Sequence, residues 1–491
     1  MTASRPPVLA GIALAAALTA GCTVGPAYVK PEAAIPPAWR IDYPQAAEAA
    51  NVRWWDQFGD PVLVQLIDTA LKENRDLEVA AARVDAFIGQ LDTTRSQFYP
   101  QVSYSLDASR NRTTKVGTSP LPPGADPYYS LYQGALGASW QLDLFGRVAN
   151  QTKSAQALVY GSEQGRRGVV LSVVTSVAAS YIALRGLDRQ LEISRQTAQN
   201  YLNTQRIFEL RHKGGVVSQV ELAQVESQYQ QALAAIPALE QQIAAQENLI
   251  AVLLGRNPFA IPRGKTINEL DLPGIPAGLP STLLERRPDI LQAEQTLIAT
   301  NADIGAAKAL YYPQITLTGT LGSISTAFGN FLTGPATTWA LIAGLTGPIF
   351  NAGQIAGQVR VAEASERDAL ARYQQTLLVA FQETNDALVG SVKKREESAA
   401  QQLRVRSLRE YARLSQVKFN NGYASYLEVL YAENELFAAE LAAVRASAET
   451  YTQIVSVYKA MGGGWIEIAD KGTAAGQDVP AVERAQKQPM F

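Results

Sequence analysis

The chain has 491 residues, with Lys plus Arg at 43 against Asp plus Glu at 45, so its net charge is −2. That balance excludes a polybasic nucleic-acid binder and an acidic tail protein. A single Cys and a single His exclude an intrachain disulfide and a zinc cage, while an apolar share of 47 % argues against global disorder.

The chain opens with a targeting segment. Arg5 supplies a short positive region, and residues 8–20 form an apolar run too short to span a bilayer comfortably. It ends in Leu18-Thr19-Ala20-Gly21-Cys22, which resembles the bacterial lipobox. The resemblance implies cleavage before Cys22, a diacylglycerol on its sulfur and an acyl chain on its new amine. The alternative is an ordinary signal peptide with a chance cysteine. Thr23, where Asp would favour retention at the inner membrane, leans toward the outer one. No later stretch reaches 18 consecutive apolar residues, so no transmembrane helix is expected. Residues 22–61, rich in proline, read as an extended arm.

Two halves of one design follow, 62–260 and 282–461, joined by a linker at 261–281. Phe98-Tyr99-Pro100-Gln101 recurs as Tyr311-Tyr312-Pro313-Gln314, and Gly215-Val216-Val217-Ser218 as Gly422-Tyr423-Ala424-Ser425. Glu221 aligns with Glu428, Glu226 with Glu433, and Leu254-Gly255 with Met461-Gly462. In the first half the pattern predicts a helix near 62–97, strands near 101–110 and 131–143, and helices near 147–213 and 217–254. In the second it predicts a helix near 282–310, strands near 314–322 and 338–347, and helices near 352–420 and 424–460. Pro100 and Pro313 end helices. Gly214-Gly215 and Asn421-Gly422 suit tight interhelical turns, and Ser218 and Ser425 suit N-caps. Residues 462–491 read as a partly ordered tail.

Helix 147–213 would be roughly 100 Å long at 1.5 Å per residue. Val170, Val177, Leu184, Leu191 and Ala198 fall on sevens, a partial coiled-coil seam. The strands weigh against a plain rod. Val102, Tyr104 and Leu106 alternate with Ser103 and Ser105, and Ile315 and Leu317 with Thr316 and Thr318, the pattern of a membrane β-strand. A soluble hairpin packed on helices is the alternative. Tyr128, Tyr129, Tyr132, Trp140, Phe328, Phe331 and Trp339 could supply interfacial belts. Four strands cannot close a barrel, and open edges are not tolerated in lipid, so copies must pool their strands. Two copies would give eight strands with a filled interior; three would give twelve and an aqueous bore.

With these features the sequence closely resembles the outer membrane factor family, the TolC-like channels of tripartite efflux systems, and most of all the lipid-anchored members serving resistance–nodulation–division (RND) pumps. The matching residues include Trp54-Trp55, Phe58, Asp60-Pro61, Asn74, Asp76-Leu77, Tyr99-Pro100, Trp140 to Gly146, Glu285 to Ile290, Tyr312-Pro313 and Ser425-Tyr426-Leu427. The resemblance implies a mainly α chain with membrane β: a trimeric twelve-stranded β-barrel in the outer membrane, continuous with a long periplasmic α-helical barrel. It implies a homotrimer in outer-membrane lipid, a periplasmic adaptor and an inner-membrane RND-type pump as partners, no nucleic acid, and no cofactor beyond the acyl chains on Cys22. The function implied is a passive exit duct for drug-like or toxic small molecules, not an enzyme, opened at its periplasmic tip when adaptor and pump dock. Export driven by an ABC transporter and a structural lipoprotein rod are the alternatives.

By the same resemblance, Leu427, Tyr431 and Asn434 occupy the constriction positions, with Glu428 beside them and Glu221 as its repeat-related counterpart. Family members often carry Asp at the Tyr431 position and Arg at the Asn434 position; this chain has neither, which points to a bulkier, apolar or hydrogen-bonded closure in place of an electrostatic latch. Glu221 and Glu428 read either as a ring of six carboxylates in a trimer or as solvated first-turn acids. Gly264-Lys265-Thr266 mimics the end of a P-loop without its first glycine, and His212 suits a helix-end cap.

Overall fold

The computed structural model describes residues 23–31, 53–114, 116, 122, 124–274, 286–462 and 465–473. Cys22, the signal segment, residues 32–52 of the arm and most of the tail lie outside the described residues.

Helix α1 (Pro61–Glu73) begins where Asp60 caps the amides of Val62 and Leu63, with Pro61 as its first residue. Asn74 is extended, caps α2 (Arg75–Ser96) through Leu77 N–H and donates to the Leu253 carbonyl. The single helix expected near 62–97 is therefore two, because Asn74 satisfies helix ends on both sides of a break. Strands β1 (Gln101–Arg112) and β2 (Tyr128–Leu142) lead to α3 (Arg147–Lys213), a tight turn and α4 (Gln219–Leu253). The second half repeats this with α5 (Pro288–Lys308), β3 (Gln314–Ser325), β4 (Thr337–Thr346), α6 (Gln354–Asn420) and α7 (Tyr426–Met461). A short α8 (Trp465–Asp470) follows. α3 and α6 have 67 residues each, roughly 100 Å at 1.5 Å per residue.

The four strands form one antiparallel sheet in the order β1-β2-β3-β4. Its register places Tyr104 opposite Leu136, Leu136 opposite Leu321, and Leu321 opposite Trp339. Cross-strand partners share a face, so one apolar row crosses the whole sheet, and all four side chains are exposed. The neighbouring row, Ser103, Gly137, Thr320 and Ala340, lies on the other face and is small or polar. β1 and β4 are edge strands in the single chain.

The main core sits where both ends of the chain meet the middle of α3. Trp54, Trp55 and Phe58 form a buried 3-10 turn, which is not the extended chain expected through residue 61. Trp465 of α8 packs edge-to-face on Trp54 and Trp55, with centroids 5.8 Å away in both cases, and Tyr458 stacks on Trp54 at 5.1 Å. These contacts order the start of the segment read as a tail. Arg166 of α3 pairs with Asp470 and Glu163 in the same region. Val170, Val177 and Leu184 of the expected seam line this core, with Val174 and Tyr181 between them. They fall within α3, the one described helix long and apolar enough to cross a membrane; core packing accounts for its apolarity.

The Gly264-Lys265 segment is structural. The Asp60 carboxylate accepts hydrogen bonds from Tyr181 Oη at 2.9 Å and Lys265 N–H at 3.0 Å, and Tyr181 Oη accepts from Gly264 N–H at 2.9 Å. The linker residues Ile261, Ile267 and Leu270 join the main core. Arg287 is buried; it donates to Asp289, to Glu383 and to the Ala460 carbonyl at the end of α7.

Candidate functional site: the helical tip

Two hairpin turns, α3–α4 and α6–α7, form the end of the molecule remote from the sheet. Gly215 (φ 72°) and Gly422 (φ 78°) take the left-handed conformation that each tight turn needs. His212 Nδ1 lies 3.1 Å from the Val217 carbonyl across the first turn, so the histidine braces the turn. Behind the turns, Tyr426 packs on Phe208 (4.2 Å between centroids) and Phe419 (5.0 Å), and Arg211 lies over both phenylalanines. Val225, Val429 and Leu430 complete this apolar knot. Gln228 of α4 donates to the Leu430 carbonyl, tying the hairpins together.

Helical spacing then fixes what α7 presents. Tyr426, Val429, Leu430 and Phe437 are buried, so the opposite stripe is left open. Leu427 and Tyr431, one turn apart, are 58 % and 60 % exposed. Asn434, at the next step of the same stripe, is partly exposed. The structure thus gathers Leu427, Tyr431 and Asn434 on one helix face. Tyr423 at the turn is also exposed.

The two repeat-related acids differ in bonding. Glu221 is engaged in a capping box: its carboxylate accepts from Ser218 N–H (2.7 Å) and Oγ (2.9 Å), and its own N–H donates to Ser218 Oγ. These bonds, the backbone one first, hold its pKa below the usual glutamate value. Ser425 makes no side-chain cap, and Glu428 instead reaches Lys418 Nζ at 3.2 Å. Each acid is therefore committed within its own hairpin. Further ion pairs, Lys394–Glu449, Arg404–Glu435 and Arg409–Glu440, bridge α6 and α7. Such exposed pairs contribute about 0–1 kcal/mol each.

Sequence reasoning missed the aromatic knot and Lys418. An aromatic triplet set by three helices leaves no local period, although Phe208, Phe419 and Tyr426 all lie within a few turns of the glycine turns. It named Glu433 only as the repeat partner of Glu226. The structure partly buries Glu433, in a cavity between α3, α6 and α7.

A membrane-type sheet joined to paired 100 Å helices has a counterpart among known proteins. The family model described as outer membrane efflux protein matches residues 66–256 and 279–463. A toluene efflux pump outer membrane protein of Pseudomonas putida, TtgC, is 34 % identical over 467 residues, covering 94 % of this chain and 96 % of the relative. A probable outer membrane lipoprotein, SilC of Salmonella typhimurium, is 31 % identical over 457 residues, covering 92 % and 97 %. Among solved structures, the open state of the MtrE outer membrane channel of Neisseria gonorrhoeae superposes with a TM-score of 0.82 at 28 % identity, covering 90 % of this chain and 98 % of that one. The chain belongs to the outer membrane efflux protein family. It is an outer membrane transport protein, with the mainly α, membrane-β fold and the two repeats expected from its sequence.

Proposed function

We propose that three copies of this chain form a passive exit duct for small toxic molecules, the outer-membrane part of a tripartite efflux pump. The observation that carries the reading is the sheet: an exposed apolar row from Tyr104 to Trp339 runs across four strands whose two outer edges are unpaired in the monomer. In lipid such edges must be closed, and β1 of one copy pairing with β4 of the next closes them. Three copies give twelve strands with the small, polar face lining a water-filled bore. The long helices continue the bore into the periplasm. An inner-membrane RND-type pump supplies the energy, and a periplasmic adaptor bridges to the hairpin tips. This chain itself catalyses nothing.

The resting duct is closed by Leu427 and Tyr431, with Asn434 behind them. Glu221 and Glu428 shape the mouth as locked acids, Glu221 by its cap and Glu428 by Lys418. Cys22 carries the acyl anchor. Support comes from the residues that follow it: Val24 N–H donates to the Phe145 carbonyl and Asn150 donates to the Val24 carbonyl. These bonds hold Val24 at the junction of β2 and α3, where the sheet meets the helices.

Planar-bilayer recordings test the duct. The purified protein should behave as a trimer in detergent and give discrete single-channel currents. A monomer that inserts without conducting would end this reading. Deleting the protein and profiling sensitivity to a compound panel, with Cys22→Ser as anchoring control, identifies the cargo class.

A further inference from the structure

A half-open cavity of about 490 Å³ lies between α3, α6 and α7, close to the tip. Glu433 lines it, two residues from Tyr431 but on the side of α7 turned toward α3 and α6. Its Oε2 is buried and accepts no hydrogen bond, and the Tyr201 hydroxyl, also on the cavity wall, is buried without a partner as well. The other charged groups facing the cavity are already engaged. On α3, Arg189 pairs with Glu192 at 2.6 Å. On α6, Arg413 pairs with Glu410 at 2.7 Å. On α7, Glu440 pairs with Arg409 at 2.6 Å. From α4, Ala232 and Tyr229 pack beside Tyr201 and bring no charge. Tyr426, about two turns earlier on α7, is a neutral phenol whose ionisation the Glu433 carboxylate opposes.

A carboxyl in this position is tolerated when neutral and costly when ionised, because no cation pairs with it and its buried Oε2 accepts no hydrogen bond. Burial alone pushes its pKa up to about 7. The carboxyl is only partly buried, so it is the buried Oε2 whose hydration, once ionised, is eased when α7 moves away from α3 and α6. Tyr431 is on the same turn of the same helix, so that movement displaces the constriction face too.

We propose that Glu433 is a protonation switch for the tip: its neutral form holds α7 against α3 and α6, and its ionisation loosens that packing and favours opening. The opening part rests on the closure by Leu427 and Tyr431 proposed above. The sign follows from linkage. A carboxyl whose pKa is raised in the packed state favours that state fully below its ordinary value near 4.5, and the preference is lost as pH rises toward about 7. Packed tips are therefore favoured in acid, loosened tips at neutral and alkaline pH.

Hydrogen exchange of the full-length channel, with rates corrected for intrinsic pH dependence, decides the matter. Amides of 426–440 should lose about tenfold or more protection, relative to those of α4, between pH 5 and pH 8. In Glu433→Gln the protection should stay at its pH 5 level throughout. Protection independent of pH in the native chain, or equally pH-dependent in Glu433→Gln, overturns the switch. Should Glu433→Gln fail to fold, Glu433→Asp and the native profile keep the test open, since a shifted midpoint in the aspartate variant supports the switch and an unmoved one counts against it. Bilayer conductance separates the two proposals: Leu427→Ala and Tyr431→Ala both without effect on current remove the gate and leave the exchange result to judge Glu433.

Discussion

Glu221 and Glu428 stand at the same position of the two repeats, three residues after Ser218 and Ser425, yet Glu221 closes a capping box on its serine while Glu428 turns away to Lys418. One hairpin is thus stapled at the start of its second helix and the other is held by a cross-helix ion pair. The two hairpins therefore enter their second helices by different means.

Removing the staple should cost more than removing its counterpart. Ser218→Ala should destabilise the α4 N-terminus by about 1 kcal/mol, whereas Ser425→Ala should cost little, because Ser425 makes no side-chain cap. Local hydrogen exchange at the two turns measures both. The Glu221 contribution is present above the usual glutamate range and is lost as pH falls through its lowered pKa.

Truncating the exposed stripe of α7 should widen the duct. Leu427→Ala and Tyr431→Ala are each expected to raise single-channel conductance, with thermal stability nearly unchanged because both side chains are exposed. Unaltered current in both variants would remove these residues from the closure.

The Asp60 carboxylate joins α1, α3 and the linker. Asp60→Ala leaves the Tyr181 hydroxyl and the Lys265 amide without their acceptor, at a cost of about 2–4 kcal/mol. Denaturant unfolding should show it. Tyr181→Phe removes the bond to Asp60 and the acceptor of Gly264 N–H and should cost about 1–3 kcal/mol.

Gly255 (φ 71°) brings the α4 end against α1: a Cβ there would sit on the Glu73 backbone carbonyl. Gly255→Ala should therefore destabilise the chain by more than about 2 kcal/mol, measured as a lowered Tm. Gly215→Ala also meets a left-handed φ but open space, and should cost less.

On the membrane face, Leu321 lies in the apolar row between Leu136 and Trp339. Leu321→Arg should cost about 2–4 kcal/mol if the row sits near the bilayer midplane, read out as impaired insertion into vesicles. Thr320→Arg, on the opposite face, should insert and instead alter ion selectivity.

The sequence by itself determined the elements and their repeat. The lengths of α3 and α6, the alternation in β1 and β3, the glycine turns and Ser218 as a cap are local matters, written in spacing over a few residues, and the structure has them at or near the expected positions. Tertiary structure alone decided three things. It brought Trp54 and Trp465, from opposite ends of the chain, into one core, so that parts of the expected arm and tail are packed structure. It gave the repeat-related Glu221 and Glu428 different partners. It turned Glu433 inward and Tyr431 outward on the same helix. The physical reason is common to all three: burial depends on which neighbour covers a face, and neighbours contributed by distant segments leave no period in the residues they cover.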